Sequence, residues 1–260
     1  MLHTASLQRR RAFTLVELLV VIGIIALLIS IIMPALNRVR DQAIRVKCMN
    51  NLRNIMSAVI MYSSENKGIM PYCNWGGMPA GHVGWLYKDP IIPDERHAET
   101  GIVYHYLKER QIFKCPVHTE IRTRGPSEYL TSYLMNGAVQ DYGEYPPTMR
   151  LGNRIAKFKV QHVILWESGE TSLMNNGPPF NDSSSFPGEW LSERHGNGSR
   201  IMGGGAIGTG GASIACFDGH VEWMSLRDYD KVVIAFDQPK NDNRFWCAPN
   251  CYDGGRGAGF

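Results

Sequence analysis

The side chains in this sequence whose type and spacing could carry chemistry fall into a few groups. Glu17 is the single ionisable residue in the apolar run FTLVELLVVIGIIALLISIIM, residues 13–33. An unpaired carboxylate at the centre of a membrane helix costs roughly 2.5–3.5 kcal/mol, and less near the interface. Glu17 must therefore either snorkel to the headgroups or meet a cation. A second group is His195 with Asp218, Gly219 and His220. It can be read as a cation or processing site, or Asp218-Gly219 can be read alone as a two-residue hairpin turn that needs positive φ. Cys115-Pro-Val-His118 has metal-binding residue types but no second pair at ligand spacing, so packing is the expected role.

Other patterns point away from catalysis. No H-E-x-x-H, G-x-S-x-G or P-loop motif is present, and GGGAIGTGG lacks the Lys-Ser/Thr ending of a phosphate cradle. Glu167, Glu170 and Glu189 read as solvated loop charges. The pairs Asp228/Asp230 and Asp237/Asp242 lack the spacing of a calcium loop. Neither an enzyme nor a resident metal or cofactor is expected.

The elements that must position these residues start with composition. The 260 residues are 20% charged with a formal charge of +3. Arg9, Arg10 and Arg11 account for all of that excess, so beyond residue 12 acids and bases balance. Without a broad cationic surface, no nucleic-acid partner is expected. The 21-residue apolar run would form a helix about 30 Å long, sufficient to cross a bilayer core. It is long for a cleaved secretory signal, and no small-x-small site follows it. Basic residues flank it on both sides, with Arg38, Arg40, Arg45 and Lys47 after the span, so charge bias alone does not set its orientation.

Pro34 should bend the helix without ending it. Leu36, Val39, Ala43, Val46, Leu52, Ile55, Met56 and Val59 then recur at three and four spacing, an amphipathic stripe that needs a partner. Asn66-Lys67-Gly68 is the expected stop. Downstream, the sequence predicts a short helix over 102–109 and strands over 160–166, 213–217 and 220–226. Ser225 and Asp228 should open a further helix, and the Gly-rich stretches 196–211 and 254–259 should be loop and tail.

The residues RRRAFTLVELLVVIGIIALLISIIMPAL resemble the N-terminal signal of type IV pilins and type II secretion pseudopilins: basic leader, small residue, Phe-Thr-Leu, an early Glu and a later Pro. The resemblance implies cleavage between Ala12 and Phe13 by a prepilin peptidase, with methylation of the new amine on Phe13. It places Glu17 and Pro34 at the positions used in assembly, and Ala12 stands where Gly is usual. It also implies a cytoplasmic leader, a single crossing of the inner membrane, and an extracytoplasmic bulk. YLKERQIFKCP, SYLMN and RHG…FDGHVEW are similar to large pilin-like proteins with a C-terminal box of His, a spacer and Asp-Gly. Here 22 residues separate His195 from Asp218-Gly219, with the Gly-rich stretch as an insertion. Export would expose the domain to oxidising conditions, in which Cys247 could pair with Cys251 and Cys73 with Cys115, while Cys48 reads as a small buried hydrophobe.

The expected organisation is a leader over 1–12, a transmembrane helix over 13–33, an amphipathic continuation over 34–67 and a globular domain over 68–260. The fold class is α+β, a long kinked helix packed on a small antiparallel sheet. The implied partners are the peptidase/methyltransferase, copies of the chain or other pilin-like subunits, and an inner-membrane assembly platform. A domain that uses the helix only as a tether, for binding or hydrolysis, is the alternative. On the pilin-like reading, Glu17 pairs with the Phe13 amine of a neighbouring subunit. Glu17→Ala should then insert and be processed normally but yield no filaments by electron microscopy; filaments at wild-type abundance would remove this role.

Overall fold

The computed structural model describes residues 14–75, 81–118, 125–143, 152–169, 180, 182–185, 187–189, 191–196, 199–200, 206–233, 243–245, 247 and 249. Contacts divide the chain into two compact units, residues 1–43 and 44–260. The first helix, α1, spans Leu15–Glu65 and continues through Pro34. Proline removes only one hydrogen bond, and the surrounding turns keep the ladder. Within the first unit, the large apolar side chains from Leu15 to Met33 are 45–73% exposed. Among the described residues this is the one helix long and apolar enough to cross a membrane.

In the second unit the same helix becomes a packed element. Cys48, Asn51, Leu52, Ile55, Met56, Ala58, Val59 and Ser63 are buried, a stripe at three and four spacing. The expected stripe is thus correct from Leu52 onward, but Leu36, Val39, Ala43 and Val46 stay exposed while Cys48 and Asn51 turn inward. Each fully buried Leu, Ile or Met in the stripe contributes about 1.5–3 kcal/mol. The helix stops where expected. Lys67 and Gly68 adopt left-handed φ of 56° and 82°, and the Gly68 N–H donates to the Ser63 carbonyl at 2.8 Å.

Among the described residues the other α-helices and strands are α2 (Ile102–Leu107), β1 (Tyr133–Asn136), β2 (Val163–Glu167), β3 (Ser184–Ser185), β4 (Ser199–Arg200), β5 (Ala206–Ile207), β6 (Gly211–Cys216), β7 (Val221–Ser225) and α3 (Leu226–Val233). Five strands form one sheet in the order β3-β1-β2-β6-β7. The class is α+β as expected, but the sheet is mixed, because β3 pairs parallel with β1. The chain reaches that edge through a long connection, which parallel pairing requires. The Gly-rich stretch is also more than loop, since β4 and β5 make a small antiparallel ribbon within it. The C-terminal tail 254–259 lies outside the described residues.

Hydrophobic side chains cover both faces of the sheet. On one, Leu52, Ile55, Met56 and Val59 of α1 pack with Tyr133, Leu165, Ala215 and Val221. On the other, Leu226, Tyr229 and Val233 of α3, together with Phe245, cover Trp166, Ile214 and Met224. The predicted Ser225 cap opens α3: the Asp228 N–H donates to Ser225 Oγ at 3.1 Å, and that hydroxyl donates to Asp228 Oδ2 at 2.7 Å.

Two features make the fold testable. The first turn of α2 is held by Ile102 and Val103 N–H groups donating to the carbonyls of Gly84 and Trp85, at 2.9 and 3.0 Å. A Cβ on Gly101 would sit 2.1 Å from the Leu86 carbonyl oxygen. Gly101→Ala should cost about 2 kcal/mol or more in chemical denaturation of the detergent-solubilised chain. The second is His162, whose Nδ1 accepts the Lys159 N–H at 3.1 Å. Burial, reinforced by the Lys159 charge, holds this imidazole down at about 4. The folded state therefore binds the proton less readily than the unfolded chain. Its stabilisation is complete above about pH 6.5 and declines as pH falls towards 4, by on the order of 3 kcal/mol. Thermal melts across this window should show that slope, and His162→Gln should flatten it.

Candidate functional site

At the N-terminus, Ala12 and Phe13 lie outside the described residues, but the turn that follows them is defined. Thr14-Leu-Val-Glu17 is a capping box. The Glu17 carboxylate accepts the Thr14 N–H at 2.9 Å and the Thr14 hydroxyl at 2.8 Å, while the Glu17 N–H donates to Thr14 Oγ1 at 3.2 Å. Glu17 is therefore anchored within its own chain at the positive end of the α1 dipole. The spacing T-x-x-E was visible in the sequence, but Glu17 was read there only for its charge.

The C-terminal box does not form one site. His195 bridges Gly211 at the start of β6, whereas Asp218 and Gly219 form the turn beyond its other end. Five residue steps of strand separate the two by about 17 Å. Around the turn, Gly219 takes φ 91°. The Asp218 carboxylate accepts the His220 N–H at 3.0 Å and lies 2.5 Å from His220 Nδ1. Asp218-Gly219 thus works as a turn with a capping carboxylate. The loop is longer than the expected two residues, since the flanking strands end at Cys216 and begin again at Val221.

His195 instead belongs to a buried polar cluster on the face of the sheet that packs on α1. Its Nε2 lies 2.9 Å from Glu167 Oε1 and 3.4 Å from Cys115 Sγ, which in turn lies 3.2 Å from Cys48 Sγ. All four residues are buried, Cys48 and Glu167 completely. Glu167 is consequently no solvated loop charge: it is the last residue of β2, and the same strand alternation that turns Leu165 inward turns it inward too. That parity was the signal available in the sequence.

Each member of the cluster is held by its surroundings. The Ser213 N–H donates to Glu167 Oε2 at 2.8 Å, and the Cys115 N–H donates to Ser132 Oγ at 2.9 Å. The His195 ring meets Trp223 edge-on, and the Arg45 guanidinium stacks on that same indole, 4.2 Å from the ring centroid. Burial alone would push the Glu167 carboxyl up, but the His195 and Ser213 contacts and the charges of His195 and Arg194 hold it at about 2. Burial likewise opposes charge on His195, yet Cys115 and Glu167 raise it to about 9. Of the two thiols, Cys115 is the more acidic, at about 6, because Cys48 donates to it, and Cys48 is raised by the same contact.

The expected pairing of Cys73 with Cys115 needs correction. Cys73 is a free thiol whose Sγ donates to Gln140 Oε1 at 2.8 Å and accepts from Ser184 Oγ at 3.3 Å, and burial pushes it up to about 12. The sulfur that faces Cys115 is Cys48, because α1 rather than the loop after it packs at that point. Cys247 is buried and free, and its expected partner Cys251 lies outside the described residues. His118 packs as expected, with Nδ1 2.9 Å from Ser132 Oγ and Nε2 3.3 Å from Glu128 Oε1.

Comparison with known proteins bears on the N-terminus. The prokaryotic N-terminal methylation motif matches residues 7–33. Type II secretion system core protein G of Klebsiella pneumoniae is 38% identical over 60 residues, which cover 23% of this chain and 43% of that protein. The chain thus spans less than half the length of the curated relative it matches. No solved structure matches. The N-terminal segment of this chain is of the prepilin type that its residues led one to expect.

Proposed function

We propose that the chain is a pilin-like or pseudopilin filament subunit of a type II secretion or type IV pilus-like system, with a structural rather than an enzymatic role. The observation that carries this reading is the coincidence of the methylation motif at residues 7–33 with a helix whose apolar side chains from Leu15 to Met33 have no cover. Such a surface is stable only in lipid or against other helices. A tether would need the apolarity alone, and not also Ala12-Phe13, Glu17 and Pro34 in their particular places.

In this scheme a prepilin peptidase cuts between Ala12 and Phe13 on the cytoplasmic side and methylates the Phe13 amine. The chain stays in the inner membrane by one span, with its larger unit outside. Assembly on the membrane platform then brings α1 of one subunit beside others, copies or related pilin-like chains. The capping box supports the role given to Glu17. Thr14 holds the carboxylate at the helix N-terminus, so a neighbouring Phe13 amine would meet an oriented partner rather than a freely rotating one. Those contacts use Thr14, which cleavage leaves in place.

Intact mass and N-terminal peptide analysis of protein from native membranes tests the scheme. The expected product lacks residues 1–12 and carries a methyl group on the Phe13 nitrogen. A chain still beginning at Met1 in cells with an active prepilin peptidase would overturn the proposal and leave the membrane-tethered domain as the better account.

A further inference from the structure

We propose that Cys48, Cys115, Glu167 and His195 form a buried binding site for one divalent cation of the zinc class. Their donor atoms, two sulfurs, an imidazole nitrogen and a carboxylate oxygen, all lie within 4.8 Å of one another. Two thiolates, an imidazole and a carboxylate suit zinc in type and number, and a closed set of four protein donors is the arrangement of a structural rather than a catalytic metal.

Three observations favour a cation over a purely hydrogen-bonded cluster. The same nitrogen, Nε2 of His195, faces both Glu167 Oε1 and Cys115 Sγ. It carries at most one proton, which cannot point well at both acceptors, whereas a cation among the four donors would satisfy all of them at once. The donors also come from elements far apart in sequence: α1, the segment after α2, the end of β2 and the strand-like bridge onto β6. A metal there would cross-link the helix to the sheet. Finally, the outer contacts are those that hold ligands in place: the Ser213 N–H on the second carboxylate oxygen, and the Trp223 indole, itself backed by Arg45, edge-on to the imidazole.

The geometry and charge are consistent with this. Zinc bonds of about 2.0–2.3 Å in a tetrahedron place donors about 3.4–3.8 Å apart. The contacts of 2.9–3.4 Å would open by about half an ångström or less. Two thiolates and one carboxylate around a dication leave one negative charge, and the Arg194 guanidinium exerts its field on both Glu167 and Cys115. Coordination needs both sulfurs as thiolates and a bare Nε2 on His195, so whatever protons Cys48, Cys115 and His195 Nε2 carry are released to the buffer. A second cluster among the described residues, Cys216, His220 and Glu222, already has a cation: Arg244 donates to Cys216 Sγ at 3.4 Å and to the Glu222 carboxylate.

The inference is independent of filament assembly and is tested on the full-length chain in detergent. After treatment with reductant and chelator, titration with Co(II) should produce a thiolate-to-cobalt charge-transfer band and tetrahedral visible absorption. Both should saturate at about one equivalent per chain and disappear on adding Zn(II). Changes outside the ligand shell typically lower metal affinity 10–100-fold, so Cys115→Ser and His195→Ala should lower it by more than about 100-fold, with Cys73→Ala unchanged. Because the wild-type spectrum decides the question by itself, a ligand variant that fails to fold does not rescue the idea. Absence of the charge-transfer band would overturn it, as would a Cys48–Cys115 disulfide in metal-free protein isolated from native membranes.

Discussion

A fully buried carboxylate imposes the strictest demand on this molecule. Glu167 ends the otherwise apolar strand Val163–Glu167, and a charge there persists only if the fold brings hydrogen-bond donors and positive charge to it. The fold meets that demand from several directions: His195 from one side, the Ser213 backbone from another, and the field of Arg194. Because those groups lie on separate segments, satisfying one carboxylate fixes how β2, β6 and the chain leading into β6 approach one another. Cys48 then locks the same point to α1 through Cys115.

Glu17 presents the same problem at the other end of the chain and solves it locally. Its carboxylate is met by Thr14 within one turn, where unpaired helical N–H groups favour negative charge. The two acids illustrate opposite strategies. One depends on hydrogen-bond partners 28 and 46 residues away in sequence, and the other on one three residues away. An acid served locally stays equipped when its helix is taken out of a soluble setting, whereas Glu167 is equipped only once the sheet has formed.

This difference explains what could be read from the sequence. The long helix, its stop at Lys67-Gly68 and the capped start of α3 all depend on residues within a turn or two of each other, and each was legible. The stripe was misjudged over its first half, where Leu36, Val39, Ala43 and Val46 fit the period but stay exposed, and Cys48 and Asn51 are the residues turned inward. The parallel strand Ser184–Ser185 carries no hydrophobic alternation and is two residues long, so nothing local announces it. The buried cluster was illegible for a stronger reason. Residues 48, 115, 167 and 195 acquire meaning only through pairings that composition does not encode, and Glu167 followed by Ser168 and Gly169 looks like the start of a wet loop.

The placement of His195 at one end of β6 and Asp218-Gly219 at the other changes what their spacing signifies. The intervening residues contain the β4–β5 ribbon and then the strand itself, so only the strand portion has a length set by geometry. The length of the ribbon segment is not fixed by the strand that follows it. A search keyed to a fixed interval between histidine and aspartate would measure the ribbon as much as the strand. Kinship among chains of this kind is better sought in what each end holds: an acid-bound imidazole at one, a glycine-tightened corner at the other.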